Sequence, residues 1–138
     1  FCPKCLITEA QTVFAVLCRH AICLGYGGDV GANGSEVVVF VTAATAEEAE
    51  RLGRIIVESR LAACANVLNG IRSIFRWENK INVENECLML IKTTLERYPE
   101  LEAVIRRHHS YTIPEIIALP VIAGSAPYLE WVREETRK

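Results

Sequence analysis

Long apolar runs, runs of one charge and cysteines are all scarce in most of these 138 residues, and each scarcity excludes something. No apolar stretch approaches the roughly 20 residues that a bilayer-spanning helix needs, so membrane insertion is not expected. No basic run is longer than Arg106-Arg107, and the formal net charge is -2. A protein that holds nucleic acid electrostatically concentrates cations, so that partner is not expected either. After residue 34 the only cysteines are Cys64 and Cys87, each inside an apolar pattern. Two lone cysteines make no disulfide framework, which favours a reducing compartment, the cytoplasm in the first instance.

What is present is ordinary for a globular protein: apolar residues make up 51% and charged residues 23%. The length fits one domain with a core that needs no staples. Residues 1–34 stand apart. Cys2-x-x-Cys5 with Cys18, His20 and Cys23 offers thiolates and an imidazole for zinc, but the spacing matches no regular finger. A secretory signal is opposed by Arg19-His20, which splits the apolar stretch. Five of the eight glycines fall between Gly25 and Gly34, the composition of a flexible linker. We therefore read residues 1–34 as a poorly ordered extension and residues 35–138 as the domain. The chain starts at Phe1 without an initiator Met, as a fragment or processed form would. Were 1–34 a targeting remnant, a mitochondrial or other compartment would replace the cytoplasm.

From Ser35 onward the periodicities are clear. Val37–Val41 is a continuous β-branched and aromatic run, the pattern of a strand buried on both faces. Thr45-x-x-Glu48 is a capping box opening a helix to about Arg60, with Ala49, Leu52 and Ile56 on its apolar face. Over 63–77 the odd positions are mostly apolar, and Asn69-Gly70 predicts a bulge in the middle, since both residues tolerate positive φ. Glu78-Asn79-Lys80 predicts a turn. From Ile81 to Thr93, Ile81, Val83, Cys87, Met89 and Ile91 alternate with Asn82, Glu84, Glu86 and Lys92. The pair forms an unusually long hairpin, whose apolar side chains and edges need cover from another chain. A helix over 96–108 with Pro99 in its first turn, a strand over 112–123 carrying two prolines, and a last helix over 126–137 complete the chain. The order is β-α-β-β-α-β plus a helix, an α+β, ferredoxin-like topology. Tyr128 and Trp131, three residues apart, are expected to pack that last helix onto the sheet.

Four stretches carry a resemblance: Arg60-Leu-Ala-Ala-Cys64-Ala-Asn66, Ser73-Ile-Phe-Arg-Trp77, Ile91-Lys-Thr-Thr94, and His108-His-Ser-Tyr-Thr-Ile-Pro-Glu115-Ile-Ile-Ala-Leu-Pro120, followed by Tyr128-Leu-Glu-Trp131. In order and spacing, residues 35–138 resemble the CutA divalent-cation tolerance family. The resemblance implies a homotrimer of PII-like architecture with long hairpins packed between subunits, and a role in tolerance of copper and other divalent cations without a firmly attached catalytic activity. It also implies a copper(II) site at His108 and His109, and an inter-subunit cleft lined by Trp77, Glu86, Lys92, Tyr111 and Glu115.

Imidazoles suit Cu(II), though adjacent residues at a helix end usually diverge, and such a pair also suits the negative end of the helix dipole. Val41 stands where some family members carry a cysteine, so one soft ligand is missing, and Ser110 stands where a proline is usual before the tyrosine. Glu86 and Lys92 lie six residues apart on one strand face, roughly 20 Å, and need partners from elsewhere. The cleft residues therefore make either an interfacial ion-pair and hydrogen-bond network or a polar pocket for a small anion or metal. Cys64, without an evident activating neighbour, is a poor nucleophile candidate, and no enzyme is expected.

Overall fold

The computed structural model describes residues 35–138. The zinc and extension readings of residues 1–34 lie outside the described residues. The elements are β1 (Glu36–Ala43), α1 (Ala46–Glu58), β2 (Cys64–Trp77), β3 (Lys80–Thr94), α2 (Tyr98–His108), β4 (Ile116–Pro120) and α3 (Ala126–Glu135). The four strands form one antiparallel sheet in the order β2-β3-β1-β4. The long hairpin β2-β3 thus occupies one side of the sheet, with β1 inserted between β3 and the short edge strand β4.

Register explains the core. Val39 pairs with both Ile91 and Ala118, and Val41 with both Met89 and Ile116, so these residues share one face. Against that face pack Ala49, Leu52 and Ile56 of α1 and Leu101 and Ile105 of α2, all fully buried. α1 begins as its sequence dictates: the Glu48 N–H donates to Thr45 Oγ1, and the Ala44 N–H donates to Glu48 Oε2. It stops at Arg60, a non-glycine residue at φ 56°, where the Leu61 and Ala62 N–H groups turn back to the Ile56 carbonyl.

The bulge is where the sequence placed it, between the pairs Leu68↔Leu88 and Ile71↔Glu86. Gly70 alone takes the positive φ, at 77°. The tip is a two-residue turn, Glu78 and Asn79, both at positive φ, which matches the strand twist. The bulge also decides which face each side chain beyond it takes. The odd positions of β2 do not keep one face throughout, because the extra residue at the bulge inverts them relative to β3. Beyond it Ile74 faces Val83, whereas Phe75 faces Asn82 and Trp77 faces Lys80.

One correction concerns the C-terminal part. The last strand covers only Ile116–Pro120 rather than 112–123, since only these five residues pair with β1. In helix α3 the fully sheltered side chain is Val132, 1% exposed, and Tyr128 lies over a cavity lined by Val38 and Lys92 of the sheet. The rings of Tyr128 and Trp131 stack tilted on each other, 5.4 Å between centroids, and stay partly exposed. The second face of the sheet is apolar and largely uncovered: Leu68, Ile117 and Leu119 are exposed there.

Candidate functional site

The segment between α2 and β4 passes the end of β1, where the β2-β3 hairpin runs on toward its tip, and Glu48 is its first anchor. Its Oε1 accepts the Ser110 N–H at 2.6 Å, and its Oε2 accepts the Ser110 hydroxyl at 2.9 Å. Burial opposes the charge on this carboxyl. The two bonds from Ser110, with His109 and the Ala44 N–H beside it, outweigh that and hold Glu48 below the ordinary carboxylate range. A proline at position 110 could supply neither bond.

His109 follows from the same turn. Its ring Nε2 lies 2.8 Å from the Thr42 carbonyl, which can only accept, so this nitrogen carries the hydrogen. Nδ1 then accepts the Tyr111 N–H at 3.0 Å. The ring is fully buried and both nitrogens are committed. His108, the next residue back, is exposed, and its carbonyl accepts from Arg51 Nη2 at 2.8 Å, tying α1 to the end of α2. The two imidazoles therefore occupy opposite environments. Val41, where a thiolate would have helped them, is fully buried in the core. Among the described residues no group of three or more His, Cys, Asp or Glu is placed to hold a metal ion.

Tyr111 connects this turn to the hairpin. Its hydroxyl donates to Glu86 Oε1 at 2.9 Å, its ring lies 5.1 Å from that of His109, and Glu86 is only 6% exposed. Burial, then the bond to Glu86 and the charges of Glu86, Glu48 and Glu84, push the phenol up to about 12. Between this tyrosine and the hairpin lies an open cavity of about 510 Å³, walled by Phe75, Trp77 and Glu84 on one side and residues 110–113 on the other.

Of the five residues expected at a cleft, the chain brings together Trp77, Tyr111 and, through its bond to Tyr111, Glu86. Lys92 lies elsewhere. Its ammonium donates to Asn66 Oδ1 and to the Leu90 carbonyl, beside a smaller cavity under Tyr128 and Leu129 of α3. Glu115 is exposed ahead of β4 and does not line the Tyr111 cavity. Sequence reasoning did not single out Glu48, Ser110, Phe75 or Glu84 as site residues. The one available signal was Ser110 itself, a donor where a proline is usual.

A four-stranded antiparallel sheet with two helices on one face, a projecting hairpin and a polar turn at its flank defines an α+β domain. The family described as "CutA1 divalent ion tolerance protein" matches residues 37–135, and the chain belongs to that family. It is 43% identical over 101 residues to the divalent-cation tolerance protein CutA of Thermus thermophilus, covering 73% of this chain and 98% of that one. It is 45% identical over 103 residues to Protein CutA of Homo sapiens, covering 75% of this chain but 58% of the human protein. Among solved structures, Cut A1 from Thermus thermophilus superposes with a TM-score of 0.73 at 42% identity, covering 74% of this chain and 99% of that one. CutA1 from Oryza sativa superposes with a TM-score of 0.73 at 39% identity, covering 75% and 94%.

Proposed function

We propose that this chain assembles as a homotrimer of PII-like architecture and acts in the tolerance of divalent cations by binding rather than by catalysis. The observation that supports it is the apolar surface a single chain leaves open. Ile74, Ile81 and Val83 are 71%, 59% and 45% exposed on one face of the hairpin, and Leu68, Ile117 and Leu119 line the bare side of the sheet. Apolar surface of this kind, carried on strands, is normally covered by another chain. Light scattering should give three chains per particle at micromolar concentration, and monomers under those conditions would overturn the assembly.

Copper(II) is the cation proposed, with His108 and His109 as its imidazoles. Their environments make the roles unequal: His108 is open to a metal, whereas His109 would first surrender its bonds to Thr42 and Tyr111. Calorimetry should show saturable Cu(II) binding that weakens on His108→Ala, while His109→Ala chiefly lowers the melting temperature. Unchanged affinity in the double variant removes the site. A second reading, favoured by the cavity between Trp77 and Tyr111, is a trimeric sensor or scaffold that holds a small ligand or protein partner at the subunit boundary. The cytoplasm is the compartment proposed, since both described cysteines are free thiols. Mitochondria remain the alternative, and relatives carry chloroplastic and periplasmic names in Arabidopsis thaliana and Archaeoglobus fulgidus. Among the described residues no helix is long and apolar enough to cross a membrane.

A further inference from the structure

The cavity beside Tyr111 has an unusual balance of groups. Phe75 and Trp77, 40% and 49% exposed in the single chain, both line it. They share a face with Glu84 because Ser73 pairs with Glu84, Phe75 with Asn82 and Trp77 with Lys80. The opposite wall supplies the hydroxyl groups of Ser110, Tyr111 and Thr112. No lysine or arginine lines the space. The register accounts for this. Arg72 and Arg76 pair with Asn85 and Ile81, so they point to the other face of the hairpin, with Ile81 and Val83. Lys80, at the turn, is the cross-strand partner of Trp77 at the rim and is not among the residues that line the space.

We propose that this cavity binds a small organic cation, an alkylammonium or guanidinium group, held between the Glu84 carboxylate and the faces of Phe75 and Trp77. The inference rests on the second reading above, that the cavity is a ligand site, and names the class of ligand. Aromatic faces attract a cation through the ring quadrupole, most strongly at tryptophan. A carboxylate adds a charge-assisted hydrogen bond. Tyr111 adds an oxygen that can accept, since its hydrogen is given to Glu86. An anion entering here would meet Glu84, with Glu86 and Glu48 close behind Tyr111, and would find no lysine or arginine on the wall. A divalent metal ion would need several oxygen ligands at once. Glu84 is the one carboxylate on the wall, and Glu86 already accepts from Tyr111. The volume, about 510 Å³, suits a compact organic molecule.

The test is a titration of the full chain with n-butylammonium chloride at constant ionic strength, following the Trp77 indole N–H by NMR, with its signal assigned from Trp77→Phe. Sodium butyrate and n-butanol serve as the anionic and neutral probes of equal length. The expected result is a saturable shift with butylammonium alone, and a Kd about tenfold weaker in Glu84→Gln at unchanged melting temperature. Saturation by butyrate or butanol in place of butylammonium would keep the cavity as a ligand site and overturn the cation. A butylammonium Kd unaffected by Glu84→Gln would overturn it equally. Silence from all three probes would overturn the cation and the ligand site together.

Discussion

Ile91 and Val83 lie on the same face of the same strand, eight residues apart, yet Ile91 is fully buried and Val83 is 45% exposed. The apolar positions of that face run through both, with Asn85 the one polar residue between them. What differs is the neighbour: Ile91 pairs with Val39 under the two helices, while Val83 pairs only with Ile74 beyond the end of β1. The base of the hairpin is core by virtue of its own chain, and the far half can become core only by virtue of another. An apolar side chain at the right period is therefore a statement about which face it takes and not about what covers it.

The sharpest way to probe this contrast is to truncate both positions. Ile91→Ala should destabilise the chain by about 2–5 kcal/mol through lost burial and a cavity. Val83→Ala should change the unfolding of dilute, dissociated chains by no more than about 0.5 kcal/mol, and should instead lower the concentration-dependent stability of the assembly. Denaturant titrations at two protein concentrations separate the two effects. Equal losses at both positions and no concentration dependence would erase the distinction.

A smaller effect is expected at the turn that flanks the hairpin. His109 has φ -81° and ψ 145°, the conformation that a following proline requires. Ser110→Pro is thus tolerated by the preceding backbone and removes the two bonds to Glu48, a loss of about 1.5–3 kcal/mol in denaturant unfolding. A neutral outcome would mean that the bonds only replace equally good ones to water.

The smallest effect concerns pH. Glu48 is held below its ordinary value of 4.5 in the fold, so it binds fewer protons there than in the unfolded chain. Its contribution to stability is complete above pH 4.5 and drains away as pH falls through the lower folded value. Melting temperatures of Glu48→Gln should accordingly show a shallower acid limb below pH 4.5 than the parent. Parallel limbs would place the acid sensitivity elsewhere.

Most of the fold was legible because its signals are local. The Thr45/Glu48 capping box, the Asn69-Gly70 bulge and the Glu78-Asn79 turn each sit within a few residues of the backbone feature they create. The fourth strand was overestimated because residues 112–115 have strand-like composition but no strand to pair with. The site was only partly legible. Trp77, Glu86 and Tyr111 lie close together in the single chain, Lys92 and Glu115 lie apart from them, and Phe75 and Glu84 line the cavity beside Tyr111.

By itself the sequence determined the order of elements, where the first and last helices start, where the hairpin bulges and turns, and membership of the divalent-cation tolerance family. Propensity, capping and turn chemistry act over a few residues, so they can be read along the chain. Only the tertiary structure decided that one extra residue puts Trp77 on the face of Glu84, and that His109 is sealed while His108 is open. Those outcomes depend on strand register and on hydrogen bonds from His109 to Thr42 and from Ser110 to Glu48, partners 67 and 62 residues away. Such distances are closed by packing, and no local pattern in the sequence encodes which donor will meet which acceptor.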